Sequence, residues 1–138
     1  MAKVKAIEMN VHPGFGDFNK AHQEFFDALD ETGWQAVPGY DGVEQKHLSG
    51  AFDHGARSGA VTRLSRWRAG ACVATPLTHE FCEEVFLVSG SLSIGTPEHE
   101  ERKLPVGSYA VRPAGVAHGP FFSEDGCLLI EFLYYAPK

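Results

Sequence analysis

From Val43 onward the chain is cut into short runs of β-type pattern by glycine, proline and aspartate: VEQKHL, AVTRLSRW, CVATPL, EVFLVSG, SLSIG, SYAVRP and CLLIEFLYYA. Seven such runs, each closed by turn residues, point to an antiparallel sandwich or barrel. With 138 residues there is room for one domain and little more. We therefore expect a β-barrel over residues 43–138 and an extension over residues 1–42. At 43% hydrophobic and 22% charged, the chain has the makeup of a globular protein that folds without staples.

The extension reads differently. In DFNKAHQEFFDALDET, residues Phe18, Ala21, His22, Phe25, Phe26 and Leu29 recur at the spacing of an amphipathic helix. The pattern predicts a helix over Asp17 to Thr32, with Asp17 as N-cap and Gly33 just past its end. His22 sits at the edge of the phenylalanine stripe and reads as a helix-edge residue. The next stretch, GWQAVPGYDG, reads as a loop. Such a helix would lie across one sheet or at an interface between subunits.

Net charge is −6 with lysines and arginines scattered, which argues against nucleic acid or an anionic membrane as partner. The first residues, MAKVKAIEMNVHPGFG, carry no apolar leader core, and no segment reaches the ~20 apolar residues of a membrane span. Cys72, Cys82 and Cys127 are odd in number and follow no disulfide or metal spacing. Reduced thiols in or near the core, and a cytoplasmic location, are the expectation.

Chemistry concentrates between residues 70 and 118. His79-Glu80-x-x-Glu83 is one residue from the HExxH pattern of zinc-binding helices, but Thr75-Pro76 precedes it and the β-branched VFLVSG follows. It is a turn entering a strand. Two longer spacings frame it: Gly70-x8-His79-x3-Glu83-x6-Gly90, and Gly107-x5-Pro113-x-Gly115-x2-His118. With these spacings the chain resembles the cupin superfamily, small β-barrels of jelly-roll topology. The second matches the second cupin motif at every defined position through His118, although Phe122 stands where that motif ends in asparagine. The first matches in part: His79, Glu83 and Gly90 fit, but Leu77 takes the place of the first histidine. Within the superfamily the stretch is most similar to single-domain bacterial cupins of the anti-sigma-factor and acetylacetone-dioxygenase type. The resemblance implies a jelly-roll barrel behind an N-terminal helical extension, and a metal held by His79, Glu83 and His118.

Two imidazoles and a carboxylate also make sense chemically. They are the ligand set that holds non-haem Fe(II) with open positions for substrate and oxygen. Fe(II) is the expected metal, and zinc, manganese, nickel or copper can take the same set. The competing reading is a polar pocket floor that holds water. Glu80 and Glu84 alternate away from Glu83 and read as solvated or as supports behind the ligands, with ligation by one of them as the alternative, and Cys82 reads as packing.

Glu131 is the one charge in CLLIEFLYYA, so it should orient a ligand histidine or pair with an arginine. Arg112 and Arg63 could clamp a carboxylate or carbonyl substrate, or form surface salt bridges. Glu131 and Arg112 are our candidates for catalytic roles. Tyr109, Phe86 and Phe121 read as core. Gln45 and His47 share a face, and one could reach the interior; His12, His54 and His99 read as surface, the last at a solvated hairpin tip.

The resemblance implies an enzyme that cleaves a small dicarbonyl or hydroxylated aromatic compound with oxygen. A metal-dependent isomerase or hydrolase, or a sensor cupin without turnover, would use the same ligands. The apolar C-terminal run makes a homodimer the expected assembly.

Overall fold

The computed structural model describes residues 19–136, which form ten strands and, among the described residues, no helix. A six-stranded sheet has the order β1-β2-β3-β10-β5-β8 and a four-stranded sheet the order β4-β9-β6-β7. The strands are β1 (Trp34–Ala36), β2 (Val43–Asp53), β3 (Ser58–Trp67), β4 (Cys72–Val73), β5 (Cys82–Gly90), β6 (Leu92–Thr96), β7 (His99–Leu104), β8 (Tyr109–Arg112), β9 (Phe121–Phe122) and β10 (Cys127–Tyr134). Every pairing is antiparallel. The all-β jelly-roll expectation holds.

The strand β10 lies at the centre, paired to β3 on one side and β5 on the other. Its odd residues, Cys127, Leu129, Glu131 and Leu133, are buried, while its even residues face outward, Phe132 exposed and the others partly covered. That is the period of two expected of a strand inside a sheet. Between the sheets, Leu87, Leu92, Cys127 and Leu129 make one apolar cluster, and Val43, Ala71 and Val73 make another with Leu77 at its margin. Cys127 is buried and Cys72 and Cys82 are half-buried, all as free thiols.

The helix expected over Asp17 to Thr32 is not formed where the residues are described; Asp17 and Phe18 lie outside them. Aspartates compete with the helix for backbone donors: Asp27 Oδ1 accepts from Leu29 N at 3.0 Å and Asp30 Oδ1 from Thr32 N at 3.0 Å. A lone helix of that length is also marginal without a face to bury, and Phe25, Phe26 and Leu29 remain exposed. The segment is instead pinned by polar contacts. Lys46 Nζ donates to Asp30 Oδ1 at 2.7 Å, Gln23 Nε2 to the Leu48 carbonyl at 2.9 Å, and Lys20 Nζ to Thr62 Oγ1.

The loop reading of GWQAVPGYDG is corrected in part, because Trp34–Ala36 pairs with Lys46–Glu44 as β1. The Trp34 ring stacks under the Arg66 guanidinium at 4.0 Å, a contact no local pattern announces. His99, read at a solvated hairpin tip, begins the exposed edge strand β7, whose charges suit an edge. Tyr109 and Phe86, read as core, stand on the outer face of the six-stranded sheet, and the Tyr109 hydroxyl donates to Glu84.

Gly90 shows how tightly the barrel closes. Its φ is +85°, and a Cβ there would lie 2.1 Å from the Gly126 carbonyl oxygen and 2.7 Å from Cys127 Cα. Gly90→Ala is therefore expected to lower stability by at least about 2 kcal/mol, from left-handed strain and a backbone clash together. Urea unfolding should show a lower midpoint with an unchanged slope. A wild-type midpoint would contradict the geometry.

Candidate metal centre

The residues from Leu77 to His79 are bolted to the turn that carries His118. Leu77 N donates to the His118 carbonyl at 2.8 Å and His118 N to the Leu77 carbonyl at 2.9 Å. Gly115 N donates to the His79 carbonyl at 2.8 Å, and Gly115 has a φ of +84°, which a side chain would strain. These three bonds bring the two motifs into register, and the glycine-proline turn aims His118 inward as the spacing suggested. Glu83 enters from β5, where it pairs across the sheet with Arg112 of β8.

One ligand atom from each of His79, Glu83 and His118 lies within 4.8 Å of the others. His118 Nε2 is 3.3 Å from Glu83 Oε2, His79 Nε2 is 3.9 Å from the same oxygen, and Arg112 Nη1 donates to it at 3.4 Å. Glu83 is 4% exposed, so these neighbours rather than bulk water surround its carboxylate. His118 Nδ1 sits 3.3 Å from the Val116 carbonyl and Nε2 the same distance from Glu83 Oε2, so the single hydrogen of the neutral ring can serve either oxygen.

With the hydrogen on Nδ1, the Nε2 lone pair and the carboxylate oxygen converge as two donors to a cation. Burial lowers the pKa of His118 below the usual 6.5; the Val116 carbonyl opposes the shift and Arg112 adds to it. His79 is lowered too, first by burial, then by His118 and Arg63. Neutral imidazoles and one carboxylate are what a divalent transition metal binds, and the donor set fits it. The His79 ring also stacks on Phe81, with centroids 4.7 Å apart and planes 6° from parallel, which fixes its orientation. Phe81 escaped the sequence reading, although it lies two residues from His79.

The site occupies one region of a cavity of about 250 Å³ between the sheets. Its wall is mostly apolar, with Val43, Val73, Leu77, Leu92 and Phe121 among the lining residues. Phe121, expected in the core, is thus part of the cavity wall, and the Arg112 guanidinium lies 5.5 Å from its ring. Leu77 lines the cavity beside His79, where the missing histidine would stand.

The two candidates for catalytic roles also line this cavity, together with Arg63 and Gln45. Glu131 is 7% exposed and accepts from Arg63 Nε at 3.0 Å, so of its two expected roles the structure displays the arginine pairing. Burial raises the Glu131 pKa from its ordinary value; Arg63 opposes the rise and Glu83 reinforces it. The alternative that Arg63 and Arg112 form surface salt bridges is corrected, since their ion pairs line the interior. Glu80, 3.8 Å from Arg57, and His99 stay exposed; His54 is exposed at the rim, where its Nδ1 meets the Tyr135 hydroxyl. His47 turns to the Gly50 carbonyl at 2.7 Å, while exposed His22 lies 3.1 Å from Glu24.

Among the described residues no helix is long and apolar enough to cross a membrane. A search of the curated proteins finds no match. Among solved structures, KdgF from Halomonas sp. is 21% identical, with 86% of this chain and 97% of that chain covered and a TM-score of 0.61. An acetylacetone dioxygenase from Acinetobacter johnsonii is 19% identical, covering 86% and 82% at a TM-score of 0.59. The Rhodobacter sphaeroides complex of SigE with the anti-sigma ChrR is 20% identical, covering 75% of this chain and 49% of that chain at 0.55. These likenesses establish a shared cupin fold. The model of the ChrR cupin-like domain matches residues 22–135, nearly the whole described chain, and the protein belongs to that family.

Proposed function

We propose that the protein is a mononuclear metal-dependent enzyme of dioxygenase type, acting on a small dicarbonyl or hydroxylated aromatic compound. The observation that carries this reading is the convergence of one ligand atom each from His79, Glu83 and His118, all within 4.8 Å of one another, at the wall of an apolar cavity. One structural neighbour is named for acetylacetone, a dicarbonyl whose two oxygens can chelate a metal.

His79, Glu83 and His118 would hold Fe(II), which would supply Lewis acidity and electrons for oxygen chemistry. Arg112 grips Glu83 from the side and fixes the carboxylate's rotamer. Glu131 accepts from Arg63 at the cavity wall and holds that guanidinium in place. Val43, Val73, Leu77 and Leu92 exclude water and limit the substrate to a few carbons.

The test is oxygen uptake by anaerobically purified, Fe(II)-reconstituted protein across a panel of dicarbonyl and phenolic compounds. Metal-dependent consumption with one class supports the proposal. Failure to take up stoichiometric Fe, Mn, Ni, Cu or Zn would remove its basis. Metal and ligand binding without oxygen uptake would favour a sensor cupin, or an isomerase or hydrolase on the same ligands.

A further inference from the structure

Four charged side chains cross the inner face of the six-stranded sheet in a row: Arg63 on β3, Glu131 on β10, Glu83 on β5 and Arg112 on β8. Arg63 and Glu131 are direct cross-strand partners, as are Glu83 and Arg112. Val85, on the same face as Glu83, partners Glu131, so the two carboxylates sit side by side in the middle. The two cations and two carboxylates cancel. A divalent metal at Glu83 upsets that balance and leaves the cavity with two positive charges in an apolar setting. Buried charge of that size calls for an anionic ligand.

The row also says where the anion goes. Arg112 is committed to Glu83 and leans over Phe121. Arg63 uses only Nε for Glu131; among the described residues its terminal nitrogens make no hydrogen bond. The Gln45 amide, on the same wall, makes none either. Both residues line the metal-site cavity and also an adjoining outer pocket of about 260 Å³, so they stand where the two meet. Strands lie about 4.8 Å apart, which puts β3 roughly 10 Å from β5 and the metal end.

We propose that Arg63 and Gln45 form an anion subsite that holds the carboxylate of a substrate whose ketone or enol oxygens reach His79, Glu83 and His118. This deepens the dioxygenase-type reading and rests on it. The substrate class is then a small oxo acid with a carboxylate a few carbon–carbon bonds from its chelating oxygens, rather than a neutral diketone. The guanidinium offers two parallel donors that match a carboxylate, and the Gln45 amide adds a third.

The test uses zinc-loaded full-length protein, which binds ligand without turnover, and two probes that differ only in charge: 4,6-dioxoheptanoate and its methyl ester. Binding is read by calorimetry and by quenching of Trp67, which lines the cavity. The acid is expected to bind about tenfold tighter than the ester, the worth of a charge-assisted pair. In Arg63→Gln, with zinc content unchanged, the ratio should fall to about one, and Arg63→Lys should restore part of it.

Equal binding of acid and ester by the wild type would overturn the subsite while leaving the metal reading intact. Preference surviving in Arg63→Gln would also overturn it, because the carboxylate would then be on the metal itself. Binding of neither probe by zinc-loaded protein would overturn both readings. Arg63→Gln removes the partner of Glu131, so Gln45→Leu is measured beside it. Should Arg63→Gln not fold, a ratio lowered about threefold in Gln45→Leu supports the subsite, and an unchanged ratio overturns it.

Discussion

His118→Ala protein, reconstituted anaerobically with Fe(II) or Zn(II), is expected to hold less than about a tenth of a metal per chain where the wild type holds one. Removing an outer-shell partner from a metal site already lowers affinity about 10- to 100-fold, and removing a ligand should exceed that. Glu83→Gln should behave alike, because it deletes the one negative charge among the three ligands. The substitution at 118 leaves both backbone bonds to Leu77 in place, so the fold should persist and the circular dichroism should match the wild type. His99→Ala, on the exposed β7, serves as the control that keeps its metal.

The pH dependence follows from the same residues. Burial and neighbouring positive charge hold both imidazoles below 6.5, so they stay neutral to a lower pH than a free histidine. Metal uptake should persist to a lower pH than two unperturbed histidines would allow, and fall as the imidazoles gain protons. Elemental analysis across a pH series checks both statements. Equal metal in wild type and His118→Ala would remove this site from consideration.

What was legible in the sequence was what turns and local spacing encode. Gly107, Pro113, Gly115 and His118 lie close in sequence, and their turn chemistry is sufficient to deliver the histidine. The runs of β10 and β3 carry their own alternation and were readable as strands. The short strand Phe121–Phe122 lacks enough length for a pattern, and β7 is too charged to read as a strand except by its pairing with β6. The stripe at Phe18 to Leu29 failed for a related reason. Periodicity indicates which residues could share a face, but a helix also needs a surface to pack that face against, and Lys46 and Thr62 hold this segment by polar contacts instead. Arg63 shows the same gap in the site itself. Its partner Glu131 is 68 residues away, and only strand register makes them neighbours.

Leu77→His should raise the affinity for Zn(II) about 10- to 100-fold, the range by which single changes around a metal site act. Leu77 and His79 are two residues apart in the connection between β4 and β5, and both line the cavity. Leu77 is tied by its backbone to His118, so a ring placed there starts from a main chain already fixed beside a ligand. The change has an opposing term: Leu77 packs against the cluster of Val43, Ala71 and Val73, and an imidazole fills that space poorly. The metal-free variant should therefore be less stable than the wild type by about 1–3 kcal/mol. Binding of metal to the native state then offsets the loss, so the melting temperature should rise with added zinc more steeply than in the wild type. Competition against a chelator of known affinity, together with thermal melts with and without zinc, reads both effects. Unchanged zinc affinity in a folded Leu77→His protein would show that the metal, if bound, sits elsewhere than between residues 79, 83 and 118. A gain would mean that leucine at 77 keeps one more coordination position open.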